Sequence, residues 1–209
     1  MAEEFTIIRG TDWGGKEASV KIGPQRELVT APYGRYYEAT KRGMMFHAVT
    51  PDAGVAPGTD SASTTAPVSL YNPVASGKDL VVVKARLAYV SGTLGAGEVL
   101  WVANTNVAAA ATTGTAMATT NGFIGGGGPT AVGAALVTAT LPAAPTLVRV
   151  FCSLDALLAT SVVGLYTIED ELDGSIIVAP GATISISGDA AAGTLPLVSI
   201  GISWLEVNR

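Results

Sequence analysis

Near its end the chain alternates strictly. Val198, Ile200, Ile202 and Trp204 fall on one parity, and Ser199, Gly201 and Ser203 on the other. A period of two marks a strand with one buried face, so the pattern predicts a strand over 197–207. Ile184 and Ile186 alternate with Thr183, Ser185 and Ser187 in the same way. Over 79–90, Val81, Val83, Ala85, Leu87 and Tyr89 share one face while Lys84 and Arg86 take the other. Apolar, β-branched runs predict further strands at 69–73, 98–104, 134–140, 146–153, 157–168 and 175–178. The glycine-rich stretch 91–97 predicts a turn joining 79–90 and 98–104 as a hairpin. Asp173-Gly174 closes a polar turn over 169–174, and Ala179-Pro180-Gly181 supplies another.

Strands thus recur at turn spacings typical of two stacked sheets, and none alternates with an amphipathic helix. The expected fold is all-β: an antiparallel β-sandwich of jelly-roll type with an extended N-terminal arm. Residues 1–49 form the arm, with strand-like pieces too short and too interrupted to bury surface alone. Residues 50–67, rich in Pro, Gly, Ser, Thr and Asp, form a linker. Residues 68–209 form the body, with long Ala/Thr/Gly-rich loops around 105–146.

Charge changes this picture in two ways. From Val99 to Val148 there is no Asp, Glu, Lys or Arg. Soluble surfaces usually mix charges of both signs, so a gap of that length predicts burial against something, most simply other copies of the chain. The net charge of −5 is also uneven. Residues 1–45 hold seven of the twelve basic residues and six of the seventeen acidic ones, leaving that segment near +1 and the remainder near −6. An acidic body argues against nucleic acid as partner. The basic and aromatic residues of the arm are the expected contact residues: Phe5, Arg9, Trp13, Arg26, Arg35, Tyr36, Tyr37, Lys41 and Arg42. Arg and Tyr are enriched at interface centres.

Chemistry finds little to build on. Cys152 is the single cysteine, so no intrachain disulfide forms, and its apolar neighbours predict a buried small hydrophobe. His47 is the single histidine, which excludes a histidine-based metal triad and leaves a packed or surface ring as the expectation. Ser76-Gly77-Lys78 resembles the end of a phosphate loop, but Asp79 stands where Ser or Thr is needed and the upstream glycine is missing. Glu169, Asp170, Glu171 and Asp173 cluster without a calcium-loop pattern, so a solvated hairpin turn is expected. Catalytic residues, metal sites and cofactors are all expected to be absent. The Met-Ala-Glu-Glu start is acidic where a signal peptide is basic, so no signal peptide is expected. The uncharged stretch is broken too often by Thr, Asn, Gly and Pro to give the ~20 apolar residues of a membrane helix. No membrane partner is expected.

Three segments carry a family resemblance. They are Ser69-Leu70-Tyr71-Asn72-Pro73-Val74-Ala75-Ser76-Gly77-Lys78-Asp79-Leu80-Val81-Val82, its continuation Ala88-Tyr89-Val90-Ser91-Gly92-Thr93-Leu94-Gly95-Ala96-Gly97, and Ile177-Val178-Ala179-Pro180-Gly181-Ala182-Thr183-Ile184-Ser185-Ile186 with Ile200-Gly201-Ile202-Ser203-Trp204-Leu205-Glu206-Val207. Together they resemble small β-sandwich virion proteins of tailed bacteriophages, especially capsid decoration (cement) proteins. The resemblance covers 68–105 and 176–207. It implies a non-enzymatic structural role on the surface of a virus shell, as a homotrimer, with the major capsid protein of the same virus as second partner. Synthesis would be in the host bacterial cytoplasm. Two other classes compete. A tail, baseplate or fibre protein binding a host receptor or glycan would need exposed aromatics, for which only Trp13, Trp101 and Trp204 are on offer as tryptophans. A glycan hydrolase would need two facing carboxylates, drawn from Asp155, Glu169 or Asp189.

Overall fold

A computed structural model describes residues 9–11, 17–19, 34–105, 113–154, 167–190 and 193–209. The chain divides into two units, 1–37 and 38–209. In the first, β1 (Arg9–Thr11) pairs antiparallel with β2 (Glu17–Ser19). A five-residue helix, α1 (Tyr37–Lys41), leads into the second unit.

Among the described residues the second unit has eleven strands: β3 (Met45–Val49), β4 (Thr65–Tyr71), β5 (Lys78–Ser91), β6 (Gly97–Asn104), β7 (Thr113–Ala116), β8 (Ala118–Asn121), β9 (Ala134–Thr140), β10 (Thr146–Leu154), β11 (Thr167–Val178), β12 (Thr183–Ala190) and β13 (Leu197–Asn208). They form two antiparallel sheets. One has the order β10-β6-β12-β4-β9-β7, the other β11-β5-β13-β3-β8. The fold is therefore all-β and antiparallel, in two sheets consistent with a sandwich.

Between the sheets lies an aliphatic core closed by two fully buried tryptophans. Val68, Leu70, Val99, Trp101, Ile184 and Ile186 come from the six-stranded sheet. Phe46, Leu80, Val82, Leu87, Ile200, Ile202 and Trp204 come from the five-stranded one. Trp204 stacks on Phe46 with ring centroids 5.9 Å apart. The centre of the six-stranded sheet is buried on its other face too, where Leu100, Val102, Ser69 and Ser185 lie. The two serines, paired across β4 and β12, satisfy each other at 2.8 Å. A strand buried on both faces reads as a continuous apolar run, which is why Val99–Val102 shows no alternation.

Several expectations need correction. The segment 79–90 and the segment 98–104 are not a hairpin: β5 and β6 belong to different sheets, so the turn 91–97 crosses the sandwich. The polar stretch 169–174 does not reverse the chain. β11 stays paired to β5 on both sides of it, from Glu171↔Lys84 to Ile176↔Val82, and the excess residues form a bulge. Asp173 and Gly174 both take positive φ there (47° and 85°), so the Asp-Gly pair supplies left-handed backbone to a bulge instead of a hairpin turn. The same point on β5 carries an extra residue, Val83, between the positions opposite Ser203 and Trp204. Parity flips across it, and Leu80 and Val82 face the core where Val81 was expected. The arm was drawn too long: Met45–Val49 is a strand inside the five-stranded sheet. The linker is tied down, with Val55 bridging to Val198 and Thr59 to Asp189, and it ends at Thr65. The expected strand 157–168 falls mostly outside the described residues, which pick it up at Thr167.

The charge-free stretch is partly explained by the chain's own core. Leu100, Trp101, Val102, Met117, Ala135, Val137, Ala139 and Leu141 are all buried. Its three short strands lie along the far edges of both sheets, β7 on β9 in one and β8 on β3 in the other.

Candidate functional site

One edge of the sandwich carries a loop braced at its base. Asn121, the last residue of β8, donates from Nδ2 to the carbonyls of Gly43 (2.8 Å) and Pro129 (3.2 Å), and its Oδ1 accepts the Phe123 N–H at 2.9 Å. Gly43, with φ of 71°, lies so close to the Pro129 ring that a Cβ there would stand 2.6 Å from Cδ. The four-glycine run 125–128 thus belongs to a loop whose base is close-packed. Lys41, at the end of α1, places its ammonium 4.5 Å from the centroid of the Phe123 ring, a cation–π contact. Arg42 reaches back to Glu38 at 3.9 Å. The loop presents Ile124 to solvent at 83% exposure.

On the opposite edge, β10 and β11 leave the sandwich open. Val148 of β10 and Ile176 and Ile177 of β11 line a groove of about 280 Å³, floored by Ala103, Ala182 and Ile184. Leu147 (59%), Val148 (46%), Val150 (54%) and Ile177 (59%) are exposed there. An exposed apolar edge strand is a pairing hazard that proteins usually blunt with charge. Here β10 carries one charge, Arg149, and Asp170 holds it at 3.1 Å. Asp170 also accepts the Trp101 Nε1–H at 2.9 Å, which ties β11 to the six-stranded sheet beneath the edge.

Of the sequence-derived contact residues, Phe5, Trp13 and Arg26 lie outside the described residues, and Arg9 lies in β1. The Arg35 guanidinium stands 5.9 Å from the Tyr36 ring centroid, and Tyr37 is partly exposed at the start of α1. Lys41 is brought to the braced loop, while Arg42 turns back to Glu38. Sequence reasoning missed Ile124, Leu147, Val148, Val150 and Ile177. A signal existed for most of them: Ile124 is a lone β-branched residue beside a glycine run, and 146–151 is apolar on both parities.

The outer face of the five-stranded sheet holds the remaining chemistry. The His47 ring contacts Ser203 Oγ through Nδ1 at 2.8 Å. Hydroxyl beside imidazole is how a nucleophile–base couple begins. These two residues, however, are direct partners in the β3–β13 register, which alone places their side chains together. The other ring nitrogen lies against Gly122, and among the described residues no carboxylate orients the ring. Burial, and secondarily the Lys84 charge, hold the His47 pKa below its ordinary value. A base depressed by folding binds its proton more readily in the unfolded chain. Its stability contribution is complete above the unfolded value near 6.5 and is lost as pH falls below it. The single histidine signal in a proton NMR titration should therefore show a midpoint below 6.5, and His47→Asn should flatten stability over that pH range. A midpoint at or above 6.5 would contradict the burial argument.

Cys152 is half-buried on β10, its thiol pKa pushed up to about 11 by burial and then by the Asp170 charge. The thiolate is the reactive form. Folded protein at pH 8 should react with Ellman's reagent at least ~10-fold more slowly than unfolded protein, which should release one equivalent at once; equal rates would contradict this environment.

Among the described residues no cluster of His, Cys, Asp and Glu could hold a metal ion. No described helix is long and apolar enough to cross a membrane. Trp101 and Trp204 are fully buried and offer no face to a sugar. No protein-family model, curated protein or solved structure matches the chain.

Proposed function

We propose that this chain is a non-enzymatic virion structural protein, a decoration protein that stabilises a bacteriophage head as a homotrimer. The observation that carries the reading is an exposed apolar edge on β10 and β11 (Leu147, Val148, Val150 and Ile177) of an antiparallel sandwich whose opposite edge holds a charge-free insertion with Ile124 exposed. Such edges suit protein partners. Many identical copies, each adding modest contacts, sum to a large stabilisation of a shell under internal pressure.

Strand pairing supports the jelly-roll form of the fold. With β7, β8 and β9 set aside, the eight other described strands of the second unit pair first with last, second with seventh, third with sixth and fourth with fifth: β3–β13, β4–β12, β5–β11 and β6–β10. That is one long antiparallel ribbon rolled into two sheets. The segment β7–β9 is then an insertion at the ribbon's tip.

The arm's role is to reach neighbouring capsid subunits. A truncation that tests it must stop before Glu38, because α1 and β3 follow. Immunolabelling of intact virions tests the whole reading. Regular signal over the head supports it. Signal confined to the tail replaces it with a receptor-binding role, and absence from the particle overturns both.

A further inference from the structure

The two apolar features of the candidate site lie on opposite edges of one sheet, and they lie in one row. Cross-strand partners run Asn121–Phe46–Trp204–Val82–Ile176, from β8 through β3, β13 and β5 to β11. Four strand spacings separate the ends, about 19 Å. The braced loop that bears Ile124 starts one residue beyond Asn121, and Ile176 lines the groove. The base of the protrusion and the recess therefore belong to one row of cross-strand partners, at the two edges of the sheet.

We propose that copies of this chain associate head to tail, the Phe123–Ile124 loop of one seated in the β10–β11 groove of the next. This deepens the self-association in the proposed function and rests on that part of it. Three observations choose a second copy as the occupant. The first is charge. The loop side carries Lys41 beyond the Arg42–Glu38 pair, an excess of one positive charge, whereas β11 carries four acids against three bases, with Lys84 and Arg86 on Glu169 and Arg149 on Asp170, an excess of one negative charge. The second is neutrality at the contact itself. The loop 122–130 has no charged residue, and Arg149, the one charge on β10, already has its carboxylate, so docking strands no lone ion. The third is fit. A loop fixed by Asn121 and Gly43 loses little freedom on docking, and a single isoleucine enters an apolar recess. A protrusion and a recess on different surfaces make a heterologous contact, which builds a ring if rotation closes it and a filament if each step also climbs. The closed trimer of the proposed function requires the first.

Ile124→Asp and Ile177→Asp test this, because both side chains are exposed and neither change touches the core. Native mass spectrometry of the full chain should show a closed oligomer, a trimer for the proposed function. Each variant alone should run as monomer, its association weakened roughly 30-fold or more, the size of a hot-spot loss. Mixed one to one, the variants should form a heterodimer and stop there. The first keeps an intact groove and the second an intact loop, so one good interface remains. A contact of one patch with itself would not complement in this way. Monomeric wild type, an oligomer that survives Ile124→Asp, or a mixture that gives no heterodimer would each overturn the proposal. Immunolabelling separates the two readings. An oligomer with these properties that is absent from virus heads would sink the decoration role and leave the interface standing. A monomer found on heads would do the reverse.

Discussion

Replacing Glu206 by alanine should destabilise the protein by about 3 kcal/mol or more, the range for breaking a buried ion pair from one side. Glu206 is 3% exposed, on the core-facing parity of β13. Its carboxylate is fully used. Oε2 takes Lys78 Nζ at 3.0 Å. Oε1 accepts the N–H groups of Val132 (2.7 Å) and Gly133 (2.9 Å), with Trp204 Nε1 at 3.4 Å. One side chain thus pins the turn before β9 to the five-stranded sheet. Gly133 suits the closeness: a Cβ there would stand 2.8 Å from Leu80 Cδ1, and the leucine would have to shift. Alanine leaves the half-buried Val132 N–H and the buried Gly133 N–H unmatched and Lys78 without its counter-ion. Lys78 is partly exposed and can hydrate, so the cost stays near the low end of the range. Glutamine keeps an acceptor for the N–H groups and should cost roughly half as much. In a domain of this size, 3 kcal/mol lowers Tm by about 6–12 °C. Chemical denaturation gives the value directly. A loss under about 1 kcal/mol for Glu206→Ala would mean that the turn is held by something else.

Glu206 also shows where sequence reading stops. The alternation over 197–207 places its side chain inward, yet a carboxylate on a core parity gains meaning only when its partners are known. Those partners, Val132 and Gly133, are more than seventy positions away, and Lys78 further still. The two-sheet, antiparallel character was legible because period-two patterning records burial directly, and Ala134–Thr140 was legible inside low-complexity sequence for the same reason. Sheet membership was not. A turn such as 91–97 looks alike whether it closes a hairpin or crosses between layers. The Val83 bulge was equally hidden, since one extra residue flips parity without changing composition. Asp173-Gly174 shows the same limit, because left-handed backbone serves a bulge as well as a turn. At the site, composition located the charge-free region but could not divide it. Part is core, part is the exposed loop, and the groove across the molecule draws most of its lining from 175–184, outside that region. Asn72 is a smaller case. Its buried amide donates to Lys78 O and Val178 O, both at 2.8 Å, and so joins the end of β4 to the opposite sheet. An Asn-Pro turn signal gave no hint of that.

The second large effect is expected at Trp101. It is fully buried, and it meets Phe151 edge-on at 5.9 Å. Its indole N–H is the link between layers, donated from β6 to Asp170 on β11. Trp101→Phe removes that donor and part of the ring volume, and should cost about 2–4 kcal/mol from cavity and hydrogen-bond losses together. The two contributions separate in a double-mutant cycle with Asp170→Ala, which removes the acceptor. If the hydrogen bond carries a real share, the pair should couple by roughly 1–2 kcal/mol, within the range for contacting residues. Additive losses would assign the whole effect to packing. The distinction bears on assembly, because Asp170 holds Arg149 as well and so fixes both walls of the edge. Loosening that node should weaken oligomerisation even though Trp101 touches no solvent. Trp204→Phe, at the opposite end of the same core, would damage stability without moving the groove. An oligomer that weakens under Trp101→Phe but holds under an equally destabilising Trp204→Phe would show that the β10–β11 edge, and not stability in general, governs how copies meet.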